Sequence, residues 1–146
     1  MQTTSGRLVY NGSVQTGVSS GTGYTRSGTY QATNAGTYTA TVSLSKSSNS
    51  LWSDGSTGNK TITWSIGRAT ISAPSAVSGL VYNGSVQTGV KSGTGYTLGG
   101  TYQATNAGSY TATATPTSNY KWSDGSTGAK NIGWSIAKRN VSDCTI

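Results

Sequence analysis

The sequence predicts an all-β fold built from two tandem β-sandwich domains, and three observations lead to this prediction. The segment at residues 8–18 returns unchanged at residues 80–90, so the chain contains a tandem repeat. Short runs of Thr, Tyr, Val and Ile are separated by many of the 21 glycines, which is typical of strands joined by turns. No window carries apolar residues at helical spacing over three turns, so helices are not expected.

The duplication extends over most of the chain and sets the domain boundaries. Further matches pair residues 21–24 with 93–96, 28–36 with 100–108, and 52–58 with 122–128. We place repeat 1 at residues 6–68 and repeat 2 at residues 78–138. A lead (1–5) precedes them, a linker (69–77) containing Pro74 joins them, and a tail (139–146) follows. The tail resembles residues 68–72, so we expect a further repeat in a longer chain.

Turn signals and period-two alternation define the elements of each repeat in order. The dipeptides Asn11-Gly12 and Asn83-Gly84 predict turns near the start, and residues 24–30 form another extended piece. The longest alternating run, residues 38–44, presents Tyr38, Ala40, Val42 and Leu44 on one face. Its counterpart presents Tyr110, Ala112 and Ala114, and Pro116 ends that strand because proline lacks a ladder donor.

A second inward row follows in each repeat. It contains Ile62, Trp64 and Ile66 in repeat 1 and Ile132, Trp134 and Ile136 in repeat 2, and we assign both tryptophans to the core. The intervening Trp-Ser-Asp-Gly sequence predicts an antiparallel hairpin between the Trp52 segment and residues 60–66, with an equivalent at Trp122. Roughly six or seven short strands per repeat suit a β-sandwich.

The composition leaves little material for catalysis or metal binding. The chain has no His, no Glu, and only Asp54, Asp124 and Asp143 as acidic residues. General acid–base and nucleophilic catalysis need groups that are missing, so we predict no enzyme activity, no catalytic residue and no cofactor. Zinc and calcium sites need ligand clusters, so we predict no metal site and expect Asp54 and Asp124 to form Asx turns. The sole cysteine, Cys144, excludes an intrachain disulfide.

The net charge of +7 is spread along the chain. Lys and Arg stand mostly one at a time, and only Lys138-Arg139 forms a pair. No nucleic-acid-binding motif accompanies them, so we predict no nucleic-acid partner. We expect a weak attraction to anionic surfaces that fades at high salt.

Four motifs carry a resemblance to a known family. They are Tyr-Asn-Gly-Ser-x-Gln, Ala-Thr-Asn-Ala-Gly-x-Tyr-Thr-Ala, Trp-Ser-Asp-Gly-Ser-Thr-Gly-x-Lys and Ile-x-Trp-Ser-Ile. Together they resemble the bacterial immunoglobulin-like (Big-type) repeats of large surface proteins, over nearly the whole chain; related modules occur on phage virions. The resemblance implies two tandem immunoglobulin-like β-sandwich domains. Ala40 and Ala112 stand where immunoglobulin domains carry the second disulfide Cys, while Tyr38 and Tyr110 are placed to make the tyrosine-corner hydrogen bond.

The resemblance implies a non-catalytic spacer or adhesion module of a bacterial cell-surface protein, located extracellularly at the cell surface or wall. Two alternatives stay open: a bacteriophage virion or prophage-encoded module for host attachment, and a glycan-binding accessory domain of a secreted hydrolase. The expected partners are a cell-surface glycan or protein and neighbouring immunoglobulin-like repeats.

Five aromatic residues are candidates for ligand contact because flat rings can stack on sugars. They are Trp52, Tyr120, Trp122, Tyr24 and Tyr96. Tyr120 lies on the same face as Trp122 if that stretch is extended. For the two tryptophans, packing in the core at the end of the sandwich is the alternative.

Overall fold

The computed structural model describes residues 8–141, and the tail residues 142–146, with Asp143 and Cys144, lie outside the described range. The described chain divides into two compact units, of which the first ends at Ala69 and the second begins at Thr70. Its regular elements are thirteen strands, which confirms the all-β prediction. Within residues 8–141, no helix is long and apolar enough to cross a membrane.

The first unit contains six strands in two sheets. They are β1 (Leu8–Val9), β2 (Gln15–Thr16), β3 (Tyr24–Gly28), β4 (Gln31–Ala32), β5 (Gly36–Leu44) and β6 (Lys60–Gly67). The larger sheet has the order β1-β6-β5-β3, in which β1 runs parallel to β6 and the other neighbours are antiparallel. Strands β2 and β4 form a separate antiparallel pair.

The second unit repeats this arrangement with one addition. Its strands are β7 (Ala69–Ile71), β8 (Gln87–Thr88), β9 (Tyr96–Gly100), β10 (Gln103–Ala104), β11 (Gly108–Pro116), β12 (Tyr120–Trp122) and β13 (Lys130–Ile136). The orders are β13-β11-β9, β10-β8 and β12-β7. Strand β7, of which only Ala69 falls in the first unit, lies in the segment that we predicted to be a linker. Strand β11 ends at Pro116, as predicted.

The predicted hairpins after Trp52 and Trp122 are wrong. Strand β12 pairs with β7, whereas β13 pairs along its whole length with β11. In the first unit, residues 50–52 are not in a strand. The Asp-Gly turn does form, because Trp52 N–H donates to Ser56 O and Gly55 N–H donates to Trp52 O, both at 2.8 Å. This turn reverses the direction of the chain. However, β5 and β11 already occupy the edges of β6 and β13 with which the Trp52 and Trp122 segments would have to pair.

The two inward rows predicted for the first unit are confirmed and form its core. Ala40 and Val42 on β5 and the alternate residues of β6 are buried. Trp64 lies opposite Tyr38 in the register, and its indole N–H donates to Thr29 O at 2.7 Å. The second unit has the same arrangement around Trp134, whose indole N–H donates to Thr101 O at 2.6 Å. Each unit thus closes a core of its own, which includes Trp64 in the first unit and Trp134 in the second.

The predicted tyrosine-corner hydrogen bonds are confirmed. Tyr38 O–H donates to Asn34 O at 2.6 Å, and Tyr110 O–H donates to Asn106 O at the same distance. The Tyr38 ring also packs on Trp64, with the ring centroids 4.9 Å apart. The hydroxyl therefore fixes the loop before β5, while the ring contributes to the core.

Candidate functional site

The structure brings the five candidate aromatic residues together in two equivalent groups, one in each unit. The ring centroids of Tyr24 and Trp52 are 6.1 Å apart, as are those of Tyr96 and Trp122. Tyr120 lies on β12, beside Trp122. Each group sits where the strand β3 or β9 begins, next to the Trp-Ser-Asp-Gly turn.

The two tryptophans of these groups are part of the packing. Trp52 is 4% exposed and Trp122 is 1% exposed. Their indole N–H groups donate to Gly58 O at 2.5 Å and to Gly128 O at 2.7 Å, so each ring also holds the loop that follows it. A ring this deeply buried has no free face for a sugar. Ligand contact by Trp52 and Trp122 stays a prediction, and their burial weighs against it.

The tyrosines of the groups are half-buried, and two of them hold loops. Tyr24 O–H donates to Ser19 O, and Tyr96 O–H donates to Lys91 O, both at 2.7 Å. A ligand that accepted a hydrogen bond from either hydroxyl would have to replace the short bond by which that hydroxyl holds its loop. Tyr24, Tyr96 and Tyr120 therefore remain the partly exposed members of the predicted contact set.

An open groove lies beside the aromatic group of the first unit. We call it the Gly23 groove; its volume is about 330 Å³, and it is lined by Thr22, Gly23, Tyr24, Leu44, Ser50, Leu51 and Trp52. Within the described chain, no atom lies within 4 Å of the position that a Cβ on Gly23 would take. The groove therefore offers direct access to backbone between two aromatic side chains.

The equivalent place in the second unit is filled. A Cβ on Gly95, the counterpart of Gly23, would lie 2.9 Å from Tyr120 Cγ and 3.0 Å from Ile71 Cδ1. Tyr120 and the side chain of Ile71 on β7 thus cover this glycine. Tyr120, one of the five predicted contact residues, therefore packs within the second unit, next to Gly95 and strand β7.

The two Asp-Gly turns form the predicted Asx turns. Asp54 Oδ1 accepts from the Ser56 N–H at 2.9 Å and from its hydroxyl at 2.6 Å, and Asp124 makes the same bonds to Ser126. Lys60 also donates to Asp54, and Lys130 donates to Asp124 at 2.9 Å.

These bonds favour the ionised form of both carboxyl groups. Hydrogen bonds from Lys60 and Ser56 hold the pKa of Asp54 far below its usual value, and those from Ser126 and Lys130 do the same for Asp124. Each carboxylate therefore stays ionised near neutral pH and serves its own turn. A group of this kind is not a proton donor or acceptor for catalysis near pH 7. Within residues 8–141, no three potential metal ligands come together.

Sequence reasoning missed the Gly23 groove, although two signals for it were available. One is Ser50, which stands where repeat 2 has Tyr120 and leaves its place empty. The other is the similarity of the tail to residues 68–72, because those residues include the whole of strand β7, which fills the equivalent place in the second unit.

Comparisons of the chain with protein-family models, with curated proteins and with solved structures find no match.

Proposed function

We propose that this chain is a non-catalytic, tension-bearing spacer: a pair of immunoglobulin-like β-sandwich modules in a bacterial cell-surface protein. The sequence resemblance supports the family and the surface location. The tyrosine corners, the separate core of each unit and the duplication of nearly every side-chain to main-chain bond support repeated immunoglobulin-like modules.

The observation that carries the spacer role is the parallel pairing of the entry and exit segments of each unit. In the first unit Leu8 lies opposite Ile66 and Val9 opposite Gly67. Tyr10 N–H then donates to Gly67 O at 2.8 Å.

The second unit has the same clamp. Val81 forms a parallel bridge with Ala137. Tyr82 N–H donates to Ala137 O and Ala137 N–H donates to Leu80 O, both at 2.9 Å. The feature therefore belongs to the module and occurs once in each.

Parallel terminal strands resist extension because of the direction in which force acts on them. The chain enters a module along β1 and leaves it along β6, so tension pulls two parallel neighbours in opposite directions along their length. The hydrogen bonds between them run across that direction and are loaded together. Terminal strands in a hairpin would instead be loaded one bond at a time. This geometry favours a module that holds its shape under tension.

Single-molecule force spectroscopy on the full chain tests the proposal. We expect two successive unfolding events, each releasing roughly 200 Å of chain, because about 60 residues lie between the clamped strands at about 3.5 Å per residue. Tyr10→Pro removes the N–H that bonds Gly67 O and should lower the force of one event only. Tyr10→Ala removes the ring, as the Pro variant does, but keeps that N–H, and it is the matched control.

Two results would contradict the proposal. One is extension of the wild-type chain without a resolved force peak for each module. The other is an unchanged force distribution in Tyr10→Pro, since the clamp would then carry no load.

A further inference from the structure

The Gly23 groove differs from its counterpart in the second unit although the surrounding backbone is the same. Gly23 has φ of +91° and Gly95 has φ of +89°. Ser45 N–H donates to Gly23 O at 2.9 Å, and Thr117 N–H donates to Gly95 O at 2.8 Å. The two sites thus share one backbone framework, and the difference is what covers the glycine.

In the second unit the cover is an added strand. Strand β7 pairs with β12, and Ile71 Cδ1 lies where it would contact a Cβ on Gly95. Residues 50–52, the counterparts of β12, have no strand partner among the described residues of the first unit. Addition of one short strand is therefore a contact that this module already makes once within the chain.

Three substitutions leave the Gly23 groove open. Ser50 replaces Tyr120 and leaves room, and Leu44 is half-buried where Pro116 is buried. Leu51 replaces Lys121 and is 62% exposed on the rim. An exposed leucine on the rim of an open groove favours contact with another apolar side chain.

The chain carries a second segment of the kind that fills such a groove. Residues 139–141 follow Ile136 and two further residues, as residues 69–71 follow Ile66. Val141 then corresponds to Ile71, and both side chains are β-branched, which suits an added strand. Val141 is 65% exposed, and the Arg139 guanidinium lies 5.6 Å from the Tyr82 ring centroid, a contact that the added strand would replace.

We propose that residues 139–141 of one copy of this chain add as a short strand beside residues 50–52 of a second copy, with Val141 covering Gly23. Segment and groove belong to different units, so the contact is head-to-tail and joins copies into closed rings or open chains. This assembly does not rest on the proposed spacer function. Because only three residues pair and each copy carries a charge of +7, association should be weak and should strengthen as salt screens the repulsion.

Intermolecular paramagnetic broadening locates the segment on its partner. One sample of the protein, without nitrogen-15, carries a spin label on Cys144, three residues beyond Val141. It is mixed with a nitrogen-15-labelled chain that carries Cys144→Ser. We expect selective broadening of the Gly23 and Leu51 amide signals. The Gly95 and Lys121 signals are the internal control, because that site already holds β7. Uniform broadening, or equal broadening at Gly95, would overturn the assignment.

Sedimentation velocity from micromolar to millimolar concentration tests the same contact energetically. Val141→Asp and Leu51→Asp should each weaken self-association at least about tenfold, which is about 1.4 kcal/mol. Val86→Asp is the matched control, since Val86 is 63% exposed and the charge change is the same. Far-ultraviolet circular dichroism checks that every variant keeps the wild-type fold.

A mixture of the two weakened variants gives the sharpest outcome. Val141→Asp copies keep an intact groove and Leu51→Asp copies keep an intact segment, so a mixture should form dimers, while each variant alone stays monomeric. A wild-type chain that is monomeric at millimolar concentration, or a mixture that stays monomeric, would overturn the proposal. Loss of association with Leu51→Asp but not with Val141→Asp would do so too, because another segment would then fill the groove.

Discussion

Gly17→Ala should destabilise the first unit severely. A methyl group on residue 17 would overlap the Cδ2 and Cε3 atoms of the Trp64 ring. The ring cannot move away freely because it is 4% exposed, its N–H is bonded to Thr29 O, and Tyr38 packs on it. Residue 17 therefore has to be glycine for reasons of space.

The expected cost follows from two contributions. Overpacking of a dense core costs about 1–3 kcal/mol. Displacing the indole from Thr29 O costs about 1 kcal/mol more. The total of about 2–4 kcal/mol is a large part of the roughly 3–9 kcal/mol expected for a unit of this size. It should lower the melting temperature of the first unit by roughly 10–25 °C.

Urea and thermal denaturation of the full chain, followed by tryptophan fluorescence, measure this effect. Gly89→Ala should behave alike, because a Cβ there would overlap Trp134. Gly58→Ala is the matched control: no described atom lies within 4 Å of its Cβ position, and its φ is not positive. That variant should stay within about 0.5 kcal/mol of wild type.

A double-mutant cycle decides whether the overlap is the cause. On a Trp64→Leu background the obstructing ring is gone, so Gly17→Ala should cost at least about 1 kcal/mol less than on the wild-type background. Strict additivity of the two substitutions would refute the steric explanation.

Two further predictions concern the tyrosine corner and pH. Tyr38→Phe removes the bond to Asn34 O but keeps the ring on Trp64, so urea denaturation should show a loss of about 1 kcal/mol; a loss below 0.3 kcal/mol would contradict a stabilising corner. The chain has no His, and the pKa values of Asp54 and Asp124 are lowered in the folded protein. The stability that these two ionised carboxylates give to the fold is therefore present above the usual Asp pKa and is lost as pH falls toward the lowered values. The urea midpoint should therefore be flat between about pH 5 and 8 and fall below about pH 4; a decline from pH 7 to 5 would contradict this.

The core rows could be predicted from the sequence because burial on one face of a strand produces a period of two. Ala40, Val42, Trp64 and their neighbours alternate with Thr and Ser over enough positions to be read. The Asx turns were equally readable, since Asp-Gly-Ser specifies its own hydrogen bonds locally.

Contacts between distant segments could not be predicted in this way. The Asp-Gly dipeptide specifies a turn but not the strand that the chain pairs with afterwards, so the hairpin after Trp52 was wrongly predicted. The close approach of Gly17 to Trp64 has no local signature, because Gly17 has no positive φ. Strand β7 has three residues, too few to show a period.

The two repeats differ at positions scattered over the module, and three of these positions lie together. Leu44, Ser50 and Leu51 all line one groove. In the second unit Tyr120 and Lys121 lie on β12, which pairs with a strand that begins two residues after β6 ends. Residues 139–141 stand in the same covalent relation to β13. The segment that we propose to enter the Gly23 groove is therefore a direct continuation of the strand that closes the clamp.

If both proposals hold, tension on one copy would reach the next copy through backbone pairing. The weakest element of an assembly would then be the three-residue strand rather than either module. Val141→Asp should then shorten assemblies under tension while leaving the unfolding force of each module unchanged.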